Sequence, residues 1–472
     1  MTVLAVIVVL AGAVAWWGAR HARGASDYFA AGRRAGAWLV GVAGTAAAVS
    51  AFTFVGGPGL FAVVGIGSLW ITFSAPLTGA LQCWAVGEPV VELARRHGIL
   101  TPQELIGVRF GRTAHGVGAA LIVLGCVANL AVQARAAAVL GEDFLKVPGV
   151  AAAGVALLAT TAYTALGGMR AGLVADAAQG ATMALLALVL AGAALAAAGG
   201  PAGAVEALRH ARPQLLGAFG SAAPARALGW YLLFCLGTCA QPQYVQKFFF
   251  LRSRAQLRAL PGVLTLALAA TLSVWLAVGI AGSSLAARGT ISLARPDDLA
   301  PRTMALLGPW AEVAAGVAIL AALMSTAASF LNLAAAAVTR DLPASFRKPE
   351  RGIAAARVCT VAVALVAAGL GAASQRTVAM LGIAGWGFFT AAFLPVFTLG
   401  LAWRGAGGAG AVAAMAAGGC VDVLLELNRA HLPAGLEPGL AGAAAGVVAL
   451  VAVSAMARSR SKVRTFEGPQ VQ

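Results

Sequence analysis

Two hydroxyl side chains, Ser325 and Thr326, stand next to each other inside the apolar stretch "LAALMSTAASFLNLAAAAVTRDL" (320–342). On an α-helix they share one face with Ala322 and Ser329, because these positions are three or four residues apart. Such a face can present oxygens to a hard cation such as Na⁺. Carbonyls from an unwound neighbour would have to complete the shell. The alternative is that both hydroxyls bond to carbonyls of their own helix and serve packing.

The composition of the chain indicates what kind of helix carries these hydroxyls. Of the 472 residues, 60% are hydrophobic and 11% are charged, and the mean hydropathy is +0.86. This composition is typical of a polytopic membrane protein, and its continuously apolar segments indicate an all-α fold. With roughly 20 apolar residues per span, the sequence predicts about thirteen transmembrane helices. They are 2–18, 36–60, 66–92, 114–139, 149–166, 171–197, 228–248, 260–286, 303–338, 354–374, 377–402, 408–426 and 438–456.

The net charge of +16 comes largely from Lys and Arg clusters between the spans. With thirteen spans these clusters fall on one face of the membrane, which is the positive-inside pattern. We therefore expect a multi-pass protein of a bacterial plasma membrane, with the N-terminus outside and the short basic tail 457–472 in the cytoplasm. The charge needs no nucleic-acid partner to explain it. No obligate protein partner is evident.

The six Cys lie inside predicted spans and lack CxxC spacing, and the five His form no HExxH pair. Buried free thiols are favoured over disulfides or a transition-metal site, and no cofactor is expected. No paired Ser/His or Asp/Asp arrangement suggests an enzyme.

Two predicted spans carry Gly and Pro interruptions, "SAFTFVGGPGL" (50–60) and "GTCAQPQYVQ" (237–246). Five spans separate them, as expected of transporters built from two inverted repeats that each open with a broken helix. Backbone groups freed at such breaks cannot face lipid. We therefore expect both breaks to line a cavity that can bind an ion or a solute.

Six motifs in this chain resemble those of the sodium:solute symporter family, and they extend over nearly its whole length. They are "ASDYFAAGRRAGAWLVGVAGTAAAVSAFTFVG", "TPQELIGVRFG", "GGMRAGLVADAAQGATM", "QPQYVQKFF", "MSTAASFLNLAAAAVTRDL" and "FLPVFTLGLAWR". The resemblance implies the fold named after the bacterial leucine transporter (LeuT), as one domain over 1–472. The leading helix would be 2–18, the inverted repeats 36–197 and 228–402, and the two trailing helices 408–456.

The resemblance also implies a set of sodium ligands and a route for ion release. Asp176 matches an acidic residue near the inner route of sodium release, and a solvated surface position is the alternative. Ala48 stands where several relatives carry Asp or Asn, so one polar contact is missing and proton coupling stays open. The implied sodium ligands are the carbonyls of Ala46, Val49 and Ala322 and the hydroxyls of Ser325 and Thr326.

For the solute, Arg135 is the most informative residue, because a guanidinium in a low dielectric favours a planar carboxylate. The alternative is that the Arg135 side chain extends to the outer membrane–water interface and has no contact with the solute. The chain shows no row of amides and acids suited to a sugar. We therefore expect a small solute with a carboxylate, such as an amino acid or a monocarboxylate. The other candidate solute-binding residues are Ser50, Ala51, Phe52, Thr53, Gln241, Gln243, Tyr244 and Trp386.

These observations predict a secondary active transporter that couples Na⁺ entry to the uptake of a small organic solute. A proton-coupled symporter of the same fold and a transporter-like membrane sensor are the alternatives.

Overall fold

The computed structural model describes residues 34–142, 147–433 and 435–466, and these residues are folded almost entirely into helices. One isolated β-bridge joins Ala35 to Leu251. The α-helices of seven or more residues are α1 (Ala37–Ala48), α2 (Gly57–Val64), α3 (Ala75–Gln82), α4 (Glu88–His97), α5 (Pro102–Phe110), α6 (Arg112–Leu140), α7 (Gly149–Ala197), α8 (Gly200–Ala211), α9 (Pro224–Gly237), α10 (Pro242–Phe248), α11 (Leu260–Ala287), α12 (Leu299–Leu307), α13 (Pro309–Ala336), α14 (Ile353–Ala373), α15 (Val378–Pro395), α16 (Gly408–Leu427) and α17 (Pro438–Phe466).

Shorter helical turns extend or join these helices. Among the described residues, five-residue π-helical turns occur at Phe52–Gly56, Cys83–Gly87, Ala337–Asp341 and Val396–Gly400. The 3₁₀ turn Gly65–Leu69 follows α2, where Gly65 has a φ of 75°. At this φ a side chain would be strained, so glycine lets the chain reverse between α2 and the next helical run.

Within the described residues, nine helical segments are long and apolar enough to cross a membrane, and they match nine of the thirteen predicted spans. The predicted span 2–18 lies outside the described residues. Spans 36–60 and 228–248 are each interrupted, so neither contains an uninterrupted helix of sufficient length. The interruption at Gln241 lies within the predicted stretch 237–246. The first interruption lies at Val49 and Ser50, at the edge of the predicted stretch 50–60, and the Gly-Pro run 56–59 is helical, because proline is tolerated in the first turn of a helix. The count of thirteen stays a prediction.

The helix α7 covers both predicted spans 149–166 and 171–197 without a break. Its 49 residues correspond to a length of about 74 Å, more than twice a bilayer core of about 30 Å. The sequence prediction ended one span at 166 and began the next at 171, and Gly167 and Gly168 lie between them. Glycine inside a helix is unfavourable by only about 1 kcal/mol relative to Ala, so this pair does not force a turn.

The helix α13 lies at the centre of the molecule, and it packs against α1, α6, α7, α12 and α14. Its small residues let neighbouring helices approach closely, as is usual for helix packing in membranes. A close approach also occurs between α7 and α1, where a Cβ on Gly180 would lie 2.7 Å from the carbonyl oxygen of Val42 and 3.2 Å from Cβ of Ala46.

Two of the sequence motifs meet at one end of α13. The hydroxyl of Thr101 donates to Oδ1 of Asp341 at 2.9 Å, and Nε2 of His115 lies 2.9 Å from the same oxygen. Arg340 is 3.2 Å from Glu104, which lies in the first turn of α5. The segments "TPQE" and "TRD" are therefore joined by hydrogen bonds and an ion pair.

All six cysteines are free, and four of them, Cys83, Cys126, Cys235 and Cys239, are buried. Cys359 is half-buried and Cys420 is exposed, contrary to the prediction that every thiol is buried. Both residues lie on the outward faces of peripheral helices, α14 and α16, and the sequence alone does not say which face of such a helix is turned inward.

The contact at Gly180 predicts a specific sensitivity to substitution. Gly180→Ala should lower the stability of the detergent-solubilised protein by about 1–3 kcal/mol, because overpacking forces α1 and α7 apart. Gly192→Ala is the matched control in the same helix, since a Cβ there meets nothing within 4 Å. Thermal unfolding followed by tryptophan fluorescence should show a lower Tm for Gly180→Ala and an unchanged or higher Tm for Gly192→Ala. Equal Tm values would contradict the packing described.

Candidate functional site

The first broken helix is interrupted at Val49, which has the extended backbone angles φ −82° and ψ 112°. In a continuous helix the amide of Thr53 would donate to Val49, but here it donates to the carbonyl of Ser50 at 2.9 Å. The amide of Ala51 donates to Oε1 of Gln133 on α6 at 3.3 Å. The break therefore leaves carbonyls on its inner side free for other partners.

The hydroxyls of α13 face these carbonyls. Ser325 donates to the carbonyl of Ala46 at 2.8 Å and lies 3.1 Å from that of Ala322. The Thr326 hydroxyl lies 3.5 Å from the carbonyl of Ala46 and 3.4 Å from that of Val49. All five residues of the predicted sodium site are buried and lie together. We call them the ion cluster.

The spacing of the ion cluster suits a small monovalent cation. With metal–oxygen bonds of about 2.4 Å, neighbouring ligand oxygens lie roughly 3 to 3.5 Å apart. The oxygen–oxygen separations of 2.8 to 3.5 Å in the ion cluster fall near this range. All five oxygens are neutral, and Ala48 adds only a methyl group. A cation here would be held by dipoles alone.

The second broken helix is interrupted at Gln241, whose ψ is 112°. Pro242 follows, and a residue before proline is pushed out of the helical region. Proline is well suited to begin the next helix, α10, because it lacks the amide hydrogen that would be unpaired there. The side-chain Nε2 of Gln241 donates to the carbonyls of Gly237 and Trp386, both at 3.2 Å. Gln241 thus ties the break to α15.

A cavity of about 100 Å³ lies between the two breaks. Val49 and Thr326 of the ion cluster border it, so an ion and a solute bound here would be neighbours. Six of the predicted solute-binding residues line it, namely Ser50, Phe52, Thr53, Gln243, Tyr244 and Trp386.

Aromatic rings form one wall of this cavity. Phe234 stacks on Trp386 with ring centroids 4.9 Å apart and on Phe52 at 6.0 Å. Trp275 meets Phe52 edge-on at 5.1 Å, and Tyr244 meets Trp386 edge-on at 5.9 Å. The rings connect both broken helices to α11 and α15, and they give the cavity a large apolar surface.

Three amide side chains that sequence reasoning missed also line the cavity: Gln82, Asn129 and Gln133. With Gln243 they form the cluster of amides whose apparent absence had disfavoured a sugar. These residues are widely separated along the chain, so no local motif reveals them. The available signal was the presence of Asn and Gln inside apolar spans, where such side chains bond across helices.

Three predicted solute-binding residues do not line the cavity in the described structure. Ala51 and Gln241 are fully buried beside it and hold the breaks through hydrogen bonds. Arg135 lies on α6, is half-buried and does not belong to the residues that line the cavity. Its role as the carboxylate ligand stays a prediction.

The charge of Arg135 acts instead on Asp297, in the loop before α12. Burial raises the pKa of Asp297, while the amide of Val378, which donates to it at 3.0 Å, opposes that rise. The charges of Arg135 and Arg295 oppose it further. Arg135 thus belongs to the electrostatics of this loop.

Asp176, the predicted residue of the ion route, is buried on α7 and pairs with Lys247 of α10. Nζ of Lys247 lies 2.6 Å from Oδ2 of Asp176. The alternative of a solvated Asp176 is therefore wrong. In the sequence, Lys247 stands at the end of the predicted span 228–248, just before a group of basic residues, which suggested a solvated position. The structure buries Lys247.

The sodium:solute symporter family model matches residues 28–418. The chain is 28% identical to the sodium/pantothenate symporter of Escherichia coli over 427 residues, 86% of each chain. It is 26% identical to the sodium/proline symporter of Salmonella typhimurium, over 87% of this chain and 84% of the relative. A solved Na⁺-coupled sialic acid symporter, in a substrate-bound outward-open state, superposes with a TM-score of 0.80 at 17% identity and covers 96% of this chain and 97% of its own. That structure has the LeuT fold, and this chain shares it.

The role of Gln241 predicts a loss of stability on substitution. Gln241→Leu should lower the free energy of unfolding by about 1–3 kcal/mol, because it removes the donor to two buried carbonyls. The exposed Gln214 provides the control Gln214→Leu, which should change little. Thermal unfolding of both variants, without added denaturant, measures the two Tm values. An unchanged Tm for Gln241→Leu would show that the break does not depend on this side chain.

Proposed function

Because the chain belongs to the sodium:solute symporter family, we propose that it is a secondary active transporter in which inward movement of Na⁺ drives the uptake of a small organic solute. The observation that carries this proposal is the ion cluster. Five oxygens from a broken helix and from α13 meet within hydrogen-bond distance and border the central cavity. A transmembrane potential supplies about 2.3 kcal/mol per charge per 100 mV, which is a sufficient energy source.

The mechanism follows from the position of the ion cluster between α1 and α13. Sodium would draw the freed carbonyls of Ala46 and Val49 towards the hydroxyls of Ser325 and Thr326 and so hold the broken helix against the central helix. Because Val49 and Thr326 also border the cavity, this fixes one wall of the solute site. Sodium and solute should each tighten the binding of the other, since linkage is reciprocal. Alternating exposure of the cavity to the two sides then releases both.

For the solute we favour a small molecule with a carboxylate. No acidic side chain lines the cavity among the residues that the structure describes, whereas Lys247 does. A sodium ion in the neutral ion cluster would add a positive charge beside the solute, and the amides of Gln82 and Gln133 can donate to an oxyanion. Two relatives are symporters of pantothenate and of proline, which both carry carboxylates. The amide cluster makes a hydroxyl-rich neutral solute the second candidate.

We place the protein in the bacterial plasma membrane with its N-terminus outside, because the basic clusters then face the cytoplasm. Proton coupling is the alternative for the driving ion, since the ion cluster lacks a charged ligand. A sensor of the same fold is the alternative for the function.

Uptake into proteoliposomes tests the proposal directly. Purified protein should accumulate at least one solute from a panel of L-proline, pantothenate, lactate, sialic acid and glucose when Na⁺ is present outside. Accumulation should be slower with an imposed proton gradient in the absence of Na⁺. Binding without accumulation would indicate a sensor, and accumulation driven equally by protons would contradict sodium coupling.

The ion cluster predicts the effect of removing each hydroxyl. Ser325→Ala and Thr326→Ala should each raise the sodium concentration for half-maximal uptake by about tenfold or more, since a ligand to a charged group contributes about 1.5 kcal/mol or more. Ser284→Ala and Thr271→Ala are matched controls on α11. Both are buried hydroxyls that donate only to carbonyls of their own helix. Sodium dependence that is the same in all four variants would refute the assignment.

A further inference from the structure

The ion pair between Asp176 and Lys247 lies next to a second, smaller cavity. Its volume of about 10 Å³ is close to the space that one water-sized sphere requires. Both residues of the pair line it, together with Ser329 and Asn332 of α13. Oδ1 of Asp176 has no hydrogen-bond partner among the described residues. The cavity thus combines carboxylate, hydroxyl and amide oxygens, which are the ligand types of hard cations.

This small cavity continues the oxygen surface of the ion cluster. Ser329 follows Ser325 by one helical turn, so both hydroxyls lie on one face of α13. On α7, Gly180 follows Asp176 by one turn and packs against Ala46. Two helices therefore lead from the ion cluster to the carboxylate of Asp176.

The position next to Asp176 is already taken by a positive charge of the protein itself. The Asp176 and Lys247 side chains are 4% and 7% exposed, and their charged atoms are 2.6 Å apart. Removing both charges from water is unfavourable, and such a pair gives little net stability compared with apolar residues. An ion pair inside a transmembrane region therefore indicates a functional constraint.

We propose that the ammonium of Lys247 occupies a second cation position at Asp176, so that the wild-type protein binds one sodium ion, in the ion cluster. This inference deepens the proposed function and rests on it. Lys247 and a sodium ion carry the same charge, so they cannot share one carboxylate in a cavity of this size without strong repulsion. Lys247 borders both the small cavity and the central cavity.

The inference predicts that removing the ammonium creates a second sodium site. Equilibrium binding of ²²Na⁺ to the purified, detergent-solubilised full chain needs no identified solute. The wild type and Lys247→Arg should bind one sodium ion per protein, and Lys247→Met should bind two. Lys348→Gln, at an exposed Lys, is the control for loss of a positive charge elsewhere and should bind one.

The variants of Asp176 keep the inference testable even where Lys247→Met is unstable. Asp176→Asn leaves the ammonium buried without its counter-ion beside the ion route, so it should weaken sodium binding several-fold. The double variant Asp176→Asn, Lys247→Met carries neither charge and should bind one sodium ion with nearly wild-type affinity. The Tm of Lys247→Met should also rise more steeply with NaCl than with choline chloride, and that difference should vanish in the double variant.

Two sodium ions in the wild type, or a folded Lys247→Met that binds only one between pH 6 and pH 9, would overturn the inference. Equal sodium affinity of Asp176→Asn and the double variant would do the same. These outcomes differ from a failure of the proposed function, in which Ser325→Ala and Thr326→Ala leave sodium binding unchanged.

Discussion

The structure depends on one constraint: a helix that is broken inside the membrane must find new partners for its backbone polar groups, because lipid offers none. At Val49 the freed amide of Ala51 bonds to Gln133, and the freed carbonyls face the hydroxyls of Ser325 and Thr326. The donors and acceptors thus separate to two sides of the break. One side binds an amide side chain and the other can bind a cation.

This separation explains why the ion cluster and the central cavity are adjacent. Gln133 and Thr326 both line the central cavity, and both contact the same break from different helices, α6 and α13. Any movement of the first broken helix changes both sets of contacts at once. Coupling between ion and solute therefore requires no distant pathway, since one two-residue interruption carries the contacts of both.

Local patterns predicted the parts of this arrangement that depend on neighbouring residues. The break at Gln241 followed from the proline at 242, whereas the break at Val49 precedes the Gly-Pro run 56–59, which is helical. The resemblance to the family implied the five members of the ion cluster, which the structure brings together. The amides Gln82, Asn129 and Gln133 could not be predicted, because only the tertiary fold brings α3 and α6 to one cavity. Arg135 does not line the cavity, and its charge acts on Asp297, which is 162 residues away along the chain and could not be identified as its neighbour from local pattern.

Asp176 and the ion cluster differ in how a positive charge beside them is balanced. The ammonium of Lys247 is the counter-charge of Asp176, so the two side chains together are neutral without any bound ion. The ion cluster has only neutral oxygens, so a sodium ion there brings an uncompensated positive charge into a low dielectric. Such a charge is most easily tolerated when an anionic group lies close to it. The central cavity borders the ion cluster through Val49 and Thr326 and has no acidic lining residue in the described ranges. Under the proposed function, a carboxylate on the solute would be the group best placed to balance a sodium ion in the ion cluster, and this mutual neutralisation would be a physical reason for the two to bind together.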